Sequence, residues 1–238
     1  MNSKINNPKL FWTLVGGLLS LGSPLGLWIL LTVFPHHMTD SLLVYLYCGV
    51  GTFIAFSAFG FWAGTVLKKS HYLASHDLLT GLYNRGYMQT RLEEAYSYSQ
   101  RYGNELLLCM LDLDFFKKVN DNYGHTVGDQ VLKAVSKVFK NTCRKSDIVS
   151  RWGGEEFIIY FPQTDLKQGV ILAERIRNNV ESLTAATLGF SGKQTISIGV
   201  LSVKSSNQLE LSHILNELDK SLYDSKQSGR NNVKSKEI

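Results

Sequence analysis

The feature that most constrains this chain is the near absence of charge across residues 10–67, where Asp40 is the one charged residue. Residues 11–34 form an uncharged apolar run of 24. At about 1.5 Å per residue, this run is long enough to cross the ~30 Å hydrocarbon layer of a membrane. A second uncharged run covers residues 41–67. The sequence therefore predicts two transmembrane helices, 11–34 and 41–67, joined by an external loop at 35–40.

The charges that flank these runs predict how the helices are oriented. Two lysines precede the first run and two follow the second, whereas the loop between them contains neither Lys nor Arg. Because cytoplasmic flanks carry the excess of positive charge, residues 1–10 and everything after residue 67 are expected in the cytoplasm. The alternatives are a cleaved signal peptide for the first run or a buried hairpin for both, and the length of the runs disfavours them.

After residue 67 charges of both signs are frequent, and the size of this part indicates one domain, 77–238, after a linker at 68–76. The linker has no Gly or Pro, so a helix leaving the membrane can continue into it. Periodicity predicts helices at 84–102, 126–144, 166–183 and 211–228, and strands at 105–114, 147–152, 156–162 and 195–203. This alternation around a hairpin indicates an α/β (α+β) fold with a mixed sheet flanked by helices.

Two carboxylates end the predicted strand at 105–114, which is otherwise apolar. Asp112 and Asp114 are two residues apart, so they face the same side of a strand. Carboxylates at the end of a buried strand are costly unless a cation pairs with them. Lys117, Lys118 or a divalent metal could supply that charge, and a solvated strand end is the alternative.

A polar stretch at 115–129 follows, which we interpret as a loop with two glycines that leads into a helix start. Backbone N–H groups at such a turn can hold phosphate, and Lys117 could add positive charge. Asn120 and Asp129 carry the amide and carboxylate groups that read a guanine edge. Asn and Asp also form turns and helix caps for purely local reasons, so an ordinary loop is the alternative to a guanine-binding segment.

The stretch RWGGEEF at 151–157 places two glycines directly before Glu155 and Glu156. Gly153 and Gly154 permit a tight hairpin with positive φ, and its bare tip allows a nucleotide to approach the backbone. The two glutamates would then lie near Asp112, where carboxylates from two strands form an oxygen cage suited to Mg²⁺ and triphosphate. An exposed acidic hairpin is the alternative.

Composition argues against a nucleic-acid-binding protein and against a protein built on disulfides or a cysteine-bound metal. The net charge of +5 is modest and no basic stripe is present, so nucleic acid is not an expected partner. Three cysteines, Cys48, Cys109 and Cys143, have neither metal-like spacing nor the pattern of a disulfide framework.

Six motifs occur in an order and spacing that resemble the GGDEF-domain family, the diguanylate cyclases, over about residues 75–234. They are HDLLTGLYNR at 76–85, LDLDFFK at 111–117, NDNYGH at 120–125 with Gly128-Asp129, RWGGEEF at 151–157, TISIGV at 195–200 and LYDSKQSGRN at 222–231. RWGGEEF is the GGEEF variant of the motif that names the family. One departure is Gly86, where the family often has Arg.

The resemblance implies a fold like that of nucleotidyl cyclases and polymerase palms, and it implies roles. Asp112 by its side chain and Leu113 by its carbonyl would hold Mg²⁺, with Mn²⁺ as a possible substitute. Glu155 would be a further metal ligand and the acceptor of the 3′-hydroxyl proton, while Glu156 would help to hold the metal. Lys117 would stabilise phosphate charge in the transition state.

The resemblance also implies how GTP would be held. Asn120 and Asp129 would read guanine, with His125 close to the nucleotide. Phe115 and Phe116 would offer backbone N–H groups to phosphates, and Lys226 and Arg230 would hold the terminal phosphates. Asp114 has no clear place in this scheme and is expected to support the site indirectly.

The implied reaction joins two GTP molecules into cyclic di-3′,5′-GMP and releases two pyrophosphates. Each domain holds one GTP, so a homodimer is expected, anchored in the bacterial cytoplasmic (inner) membrane. Arg144 and Asp147 fit the family's RxxD site for inhibitory product, and Arg175 is a secondary candidate there. The alternative functions are a non-catalytic cyclic di-GMP receptor or a scaffold.

Overall fold

A computed structural model describes residues 41–205 and 209–238, together with the isolated positions Trp28 and Thr32. The chain divides into two units, Met1–Ala74 and Ser75–Ile238. In the first unit, helix α1 (Ser41–Ser75) contains Gly49–Ser75, the one stretch within the described residues that is long and apolar enough to cross a membrane. Trp28 and Thr32 aside, the predicted span at 11–34 and loop at 35–40 lie outside the described residues.

Helix α1 also includes most of the predicted linker, because it continues without a break to Ser75. Residues 68–75 contain no helix-breaking Gly or Pro, as the sequence indicated. Residues 68–75 of the predicted linker are therefore helical and belong to α1.

The second unit contains one mixed five-stranded sheet with helices on both faces. Its helices are α2 (Arg85–Tyr102), α3 (Phe116–Tyr123), α4 (His125–Thr142), α5 (Leu166–Glu181), α6 (Ala185–Leu188) and α7 (Leu211–Gln227). Its strands are β1 (Leu106–Leu113), β2 (Ile148–Arg151), β3 (Glu156–Phe161), β4 (Ile196–Val203) and β5 (Val233–Glu237). The strand order is β2-β3-β1-β4-β5, antiparallel throughout except for the parallel pair β4–β5. This confirms the predicted mixed sheet flanked by helices.

Strand β1 lies at the centre of the sheet and is buried along its whole length. Leu107 and Leu111 pack with α4 and α5 on one face, whereas Leu106 and Met110 pack with α2 and α7 on the other. Both faces are covered, which explains why the strand is a continuous apolar run and not an alternating one. Asp112 and Met110 are two residues apart on β1, so their side chains project from the same face of the sheet. This is the face that α2 and α7 cover.

Two elements differ from the predictions. The interpretation of 115–129 as a loop is wrong in its first half, because Phe116–Tyr123 is a helix whose buried face holds only Phe116 and Val119. Its N-cap is Phe115, which lacks the side-chain oxygen that marks most helix starts. Strand β5 was not predicted, because its exposed, lysine-rich sequence resembles a tail until it pairs beside β4 at the sheet edge.

Candidate active site

The antiparallel pairing of β1 and β3 brings the acidic end of each strand together. Asp112 lies directly opposite Glu156, so both side chains project from the same face of the sheet. One residue further, the Leu113 N–H donates to the Glu155 carbonyl at 3.3 Å. The structure thus places Glu155 and Glu156 beside the end of β1, as the hairpin motif predicts.

The turn between β2 and β3 is tight and is closed at its base. The N–H groups of Trp152 and Gly153 both donate to the Glu156 carbonyl, at 2.8 and 3.2 Å. A side chain at position 153 would place its Cβ 2.6 Å from Oε2 of Glu156, whereas position 154 faces open space. The expectation of positive φ is wrong, since neither glycine is left-handed. A side chain at position 153 would therefore displace the carboxylate of Glu156, which lies over this glycine.

Arg151 stabilises the hairpin by side-chain contacts that no sequence motif indicated. Its Nε and NH2 groups donate to the Gly154 carbonyl at 3.1 and 2.7 Å, and NH1 pairs with Asp77 at 3.3 Å. Burial opposes ionisation of Asp77, but hydrogen bonds from Thr80 and the charge of Arg151 outweigh it and lower the pKa of this carboxyl. The segment that begins the domain is thereby tied to the acidic hairpin.

Lys226, in the last turn of α7, is the cation that the structure pairs with Asp112. Its Nζ lies 2.8 Å from Oδ2 of Asp112, so neither Lys117 nor Lys118 takes this part. Burial is the main cause that raises the pKa of Asp112, and the charges of Glu156 and Asp114 add to it against the opposing effect of Lys226.

Glu155 has a raised pKa for related reasons. Burial contributes most, the charge of Asp112 comes next, and Lys226 again opposes the shift. Asp112, Glu155 and Glu156 together form an acidic corner of the domain, and Lys226 alone does not compensate its negative charge. Within 41–205 and 209–238, no three Asp, Glu, His or Cys side chains already converge as a metal cage. The surplus of hard oxygen donors nevertheless suits a divalent cation such as Mg²⁺.

Asp114 is almost fully buried and serves as an acceptor for three groups. The hydroxyls of Ser197 and Thr195 donate to it at 2.6 and 2.7 Å, and the backbone N–H of Asn231 donates at 3.0 Å. It therefore fastens the end of β1 to β4 and to the turn after α7, which carries Arg230. These hydrogen bonds fit the expectation that Asp114 supports the site indirectly, which stays a prediction.

Helices α3 and α4 position the predicted guanine-reading and phosphate-binding groups. Phe115 and Phe116 stand at the start of α3, where the first N–H groups of a helix have no intrahelical acceptor. Asn120 is in the last turn of α3, and its amide lies against Gly128 in the first turn of α4. The exposed residues around this pair include Lys117, His125 and Asp129.

The RxxD motif forms a compact turn between α4 and β2. The Arg144 N–H donates to the Asp147 carboxylate at 2.7 Å, and the Asp147 N–H donates to the Arg144 carbonyl at 3.1 Å. Arg144 is exposed, while NH2 of Arg175 donates to the Thr142 carbonyl at 2.7 Å and so approaches the same turn. The three predicted residues of this site are therefore close neighbours.

The mixed five-stranded sheet, with an acidic hairpin beside the end of its central strand, is the arrangement that the resemblance to the GGDEF-domain family predicts. The chain belongs to the GGDEF family, since the family model described as "Diguanylate cyclase, GGDEF domain" matches residues 74–232. It is 38% identical over 171 residues to the "Probable diguanylate cyclase DgcT" of Escherichia coli, covering 71% of this chain and 37% of that protein.

Solved structures agree with this family. The coiled coil and GGDEF domain of DgcB from Caulobacter crescentus, in complex with c-di-GMP, superimposes with a TM-score of 0.72 at 28% identity, covering 83% of this chain and 100% of that one. The active GGEEF domain of a Vibrio cholerae diguanylate cyclase gives a TM-score of 0.59 at 28% identity, covering 64% and 96%. The chain spans less than half the length of the curated relatives it matches, 25 to 44% for three of them.

Proposed function

We propose that this chain is a membrane-anchored diguanylate cyclase that condenses two GTP into cyclic di-GMP and two pyrophosphates. The observation that carries the proposal is the register of β1 and β3, which sets Asp112 opposite Glu156 and fastens Leu113 to Glu155. This acidic corner adjoins the α3 start, where unpaired helical N–H groups favour phosphate. The GGEEF-type match and the family membership support the same activity.

Mg²⁺ fits the acidic corner, and Mn²⁺ could substitute for it. Asp112, Glu155 and Glu156 would hold the ion by their carboxylates, and Leu113 by its backbone carbonyl. When bound, the metal supplies charge neutralisation at the α-phosphate of GTP. Glu155 accepts the proton of the 3′-hydroxyl as that oxygen bonds to the α-phosphorus of the other GTP and pyrophosphate leaves. Catalysis is then mainly positioning and electrostatic stabilisation.

GTP would extend from the α3–α4 junction to the turn after α7. Asn120 and Asp129 would read guanine beside His125, while the backbone N–H groups of Phe115 and Phe116 would bind phosphate. The cations for the phosphates would be Lys117, Lys226 and Arg230. To hold a terminal phosphate, Lys226 would have to leave its present partner Asp112, whose charge a bound divalent cation would then balance.

Two domains must face each other, since each would hold one GTP and the 3′-hydroxyl of one attacks the other. We propose a homodimer with both chain ends in the cytoplasm of a bacterium and two spans, 11–34 and 41–67, in its inner membrane. In support, the described part of α1 exposes large apolar side chains such as Phe53, Ile54 and Trp62, which lipid would cover. The domain bounds 68–76 and 77–238 belong to the same proposal.

The experiment that tests the activity uses the full chain in lipid nanodiscs, shown to be dimeric by light scattering. Incubated with GTP and Mg²⁺, it is expected to form cyclic di-GMP and pyrophosphate, identified by mass spectrometry, and to stop when EDTA removes the metal. A folded dimer that binds GTP and yields neither product would contradict the cyclase proposal. Binding of cyclic di-GMP by that inactive dimer would favour the receptor alternative.

We further propose that Arg144 and Asp147 bind inhibitory product, with Arg175 as a secondary contact. Arg144→Ala is expected to raise the inhibition constant of cyclic di-GMP about tenfold or more, because charge-assisted hydrogen bonds to the product are lost. Asp147 is held by the backbone N–H of Arg144, which alanine retains, so the turn persists.

Initial rates at increasing cyclic di-GMP measure this effect. The exposed neighbour Lys145 provides the control, since Lys145→Ala changes the charge of the same turn by the same amount. Equal inhibition of wild type and Arg144→Ala would exclude the site.

A further inference from the structure

Phe115 combines two unusual properties at the end of β1. Its side chain is 53% exposed, and its backbone is left-handed with φ of 56°. Bulky side chains rarely adopt this conformation, and strained residues of this kind persist where the surrounding structure enforces them, often at functional sites. Because the ring is more than half exposed, its burial in the core does not explain why an aromatic residue occupies this position.

The turn after α7 is strained in the same way. Gly229, Arg230 and Asn231 have consecutive positive φ values of 104°, 64° and 45°. The Asn231 N–H is held by Asp114, and the Asn231 side chain accepts from Arg177 at 2.9 Å. These bonds over-determine a backbone conformation that an arginine does not prefer. Arg230 is therefore exposed on a turn that the hydrogen bonds of its neighbour Asn231 hold in place.

The two strained segments meet through their side chains. The guanidinium carbon of Arg230 lies 4.6 Å from the centroid of the Phe115 ring, and Nζ of Lys118 lies 4.7 Å from the same centroid. Both distances are within the range of cation–π attraction. Two cations on one exposed ring repel each other, and a polyanion beside them would remove that repulsion.

We propose that Phe115 is a positioning residue whose ring holds Arg230 and Lys118 for the terminal phosphates of GTP. Lys118 becomes a further phosphate-binding cation in this arrangement, beyond those that the family motifs indicate. The inference rests on the proposed function. The ring fixes side chains that would otherwise move freely, so less conformational entropy is lost when the triphosphate binds.

Phe115→Leu tests the proposal, because leucine keeps an apolar side chain but has no π face. We expect the KM for GTP to rise about three- to tenfold with kcat within about twofold, and Phe115→Tyr to keep the wild-type KM. Affinity for a non-hydrolysable GTP analogue should fall by the same factor, whereas affinity for GMP should not change.

The matched control is Tyr102→Leu, which removes another exposed ring that lies 5.5 Å from a guanidinium, that of Arg101 on α2. It should leave both affinities unchanged. In an Arg230→Ala background, Phe115→Leu should have less effect than it has alone, since its main target is gone. Fully multiplicative effects, or equal loss of GMP and GTP-analogue affinity, would overturn the proposal. A wild type without product would instead overturn the proposed function.

Discussion

Glu155→Gln is expected to lower the rate of cyclic di-GMP formation by about three orders of magnitude. Glutamine keeps the size of the side chain but cannot accept the proton of the 3′-hydroxyl and is a poorer ligand for Mg²⁺. The backbone contact between the Glu155 carbonyl and the Leu113 N–H is unaffected, so the hairpin remains in register.

The same substitution is expected to leave the fold intact or to stabilise it in the absence of metal. Burial and the charge of Asp112 raise the pKa of Glu155, so the folded state binds this proton more tightly than the unfolded state does. The free energy of unfolding therefore falls as the pH rises through the raised pKa, and the penalty is largest above it. Glutamine removes that penalty at neutral pH.

Thermal unfolding separates these effects. Without metal at pH 7.5, the Tm of Glu155→Gln should equal or exceed that of wild type, and the difference should shrink as the pH falls towards 4.5, the ordinary pKa of Glu. With GTP and Mg²⁺ present, the Tm of wild type should rise more than that of Glu155→Gln. Ligands stabilise the folded state that binds them, and glutamine is the poorer ligand for Mg²⁺. Glu93→Gln on the exposed face of α2 is the control. A variant that loses activity and Tm together would make Glu155 a structural residue.

The fold was predictable where apolar periodicity decides it. Strand β1 was expected at 105–114 and occupies Leu106–Leu113, and helix α2 was expected at 84–102 and occupies Arg85–Tyr102. Helix α3 was missed because its polar sequence buries only two side chains, and tertiary packing of Phe116 and Val119 stabilises it. Propensity is a weak guide to such short amphipathic helices.

The candidate site was predictable where its parts are local. The acidic hairpin and the end of β1 follow from strand alternation and a two-glycine turn. Asp114 was not explained, because its acceptor role depends on Asn231, which lies 117 residues away along the chain. The pairing of Lys226 with Asp112 likewise depends on how α7 crosses the sheet, and no local pattern specifies that.

Gly128→Ala is expected to raise the KM for GTP about tenfold or more while leaving the domain folded. A Cβ at position 128 would lie 1.9 Å from Oδ1 of Asn120 and 3.1 Å from its Cγ, so the amide must move away. If Asn120 reads guanine, that displacement removes a specific hydrogen-bonding pair. Discrimination between GTP and ATP should fall with it.

Stability should change far less than affinity, because two effects oppose each other. Alanine is favoured over glycine in a helix by about 1 kcal/mol. Against this, the new methyl would lie 3.2 Å from the ring of Phe116, which must shift by a few tenths of an ångström. The net change in the free energy of unfolding is therefore expected within about 1 kcal/mol of wild type.

Gly86→Ala is the matched control, since Gly86 is also in the first turn of a helix. Its added Cβ would make an ordinary contact of 3.6 Å with Asn84, so helix propensity alone should change. In an Asn120→Ala background, Gly128→Ala should have no further effect on KM, because the group it displaces is already absent. A KM that stays at the wild-type value in Gly128→Ala would mean that Asn120 does not read the base. A rise that persists without Asn120 would place the effect on the helix start itself.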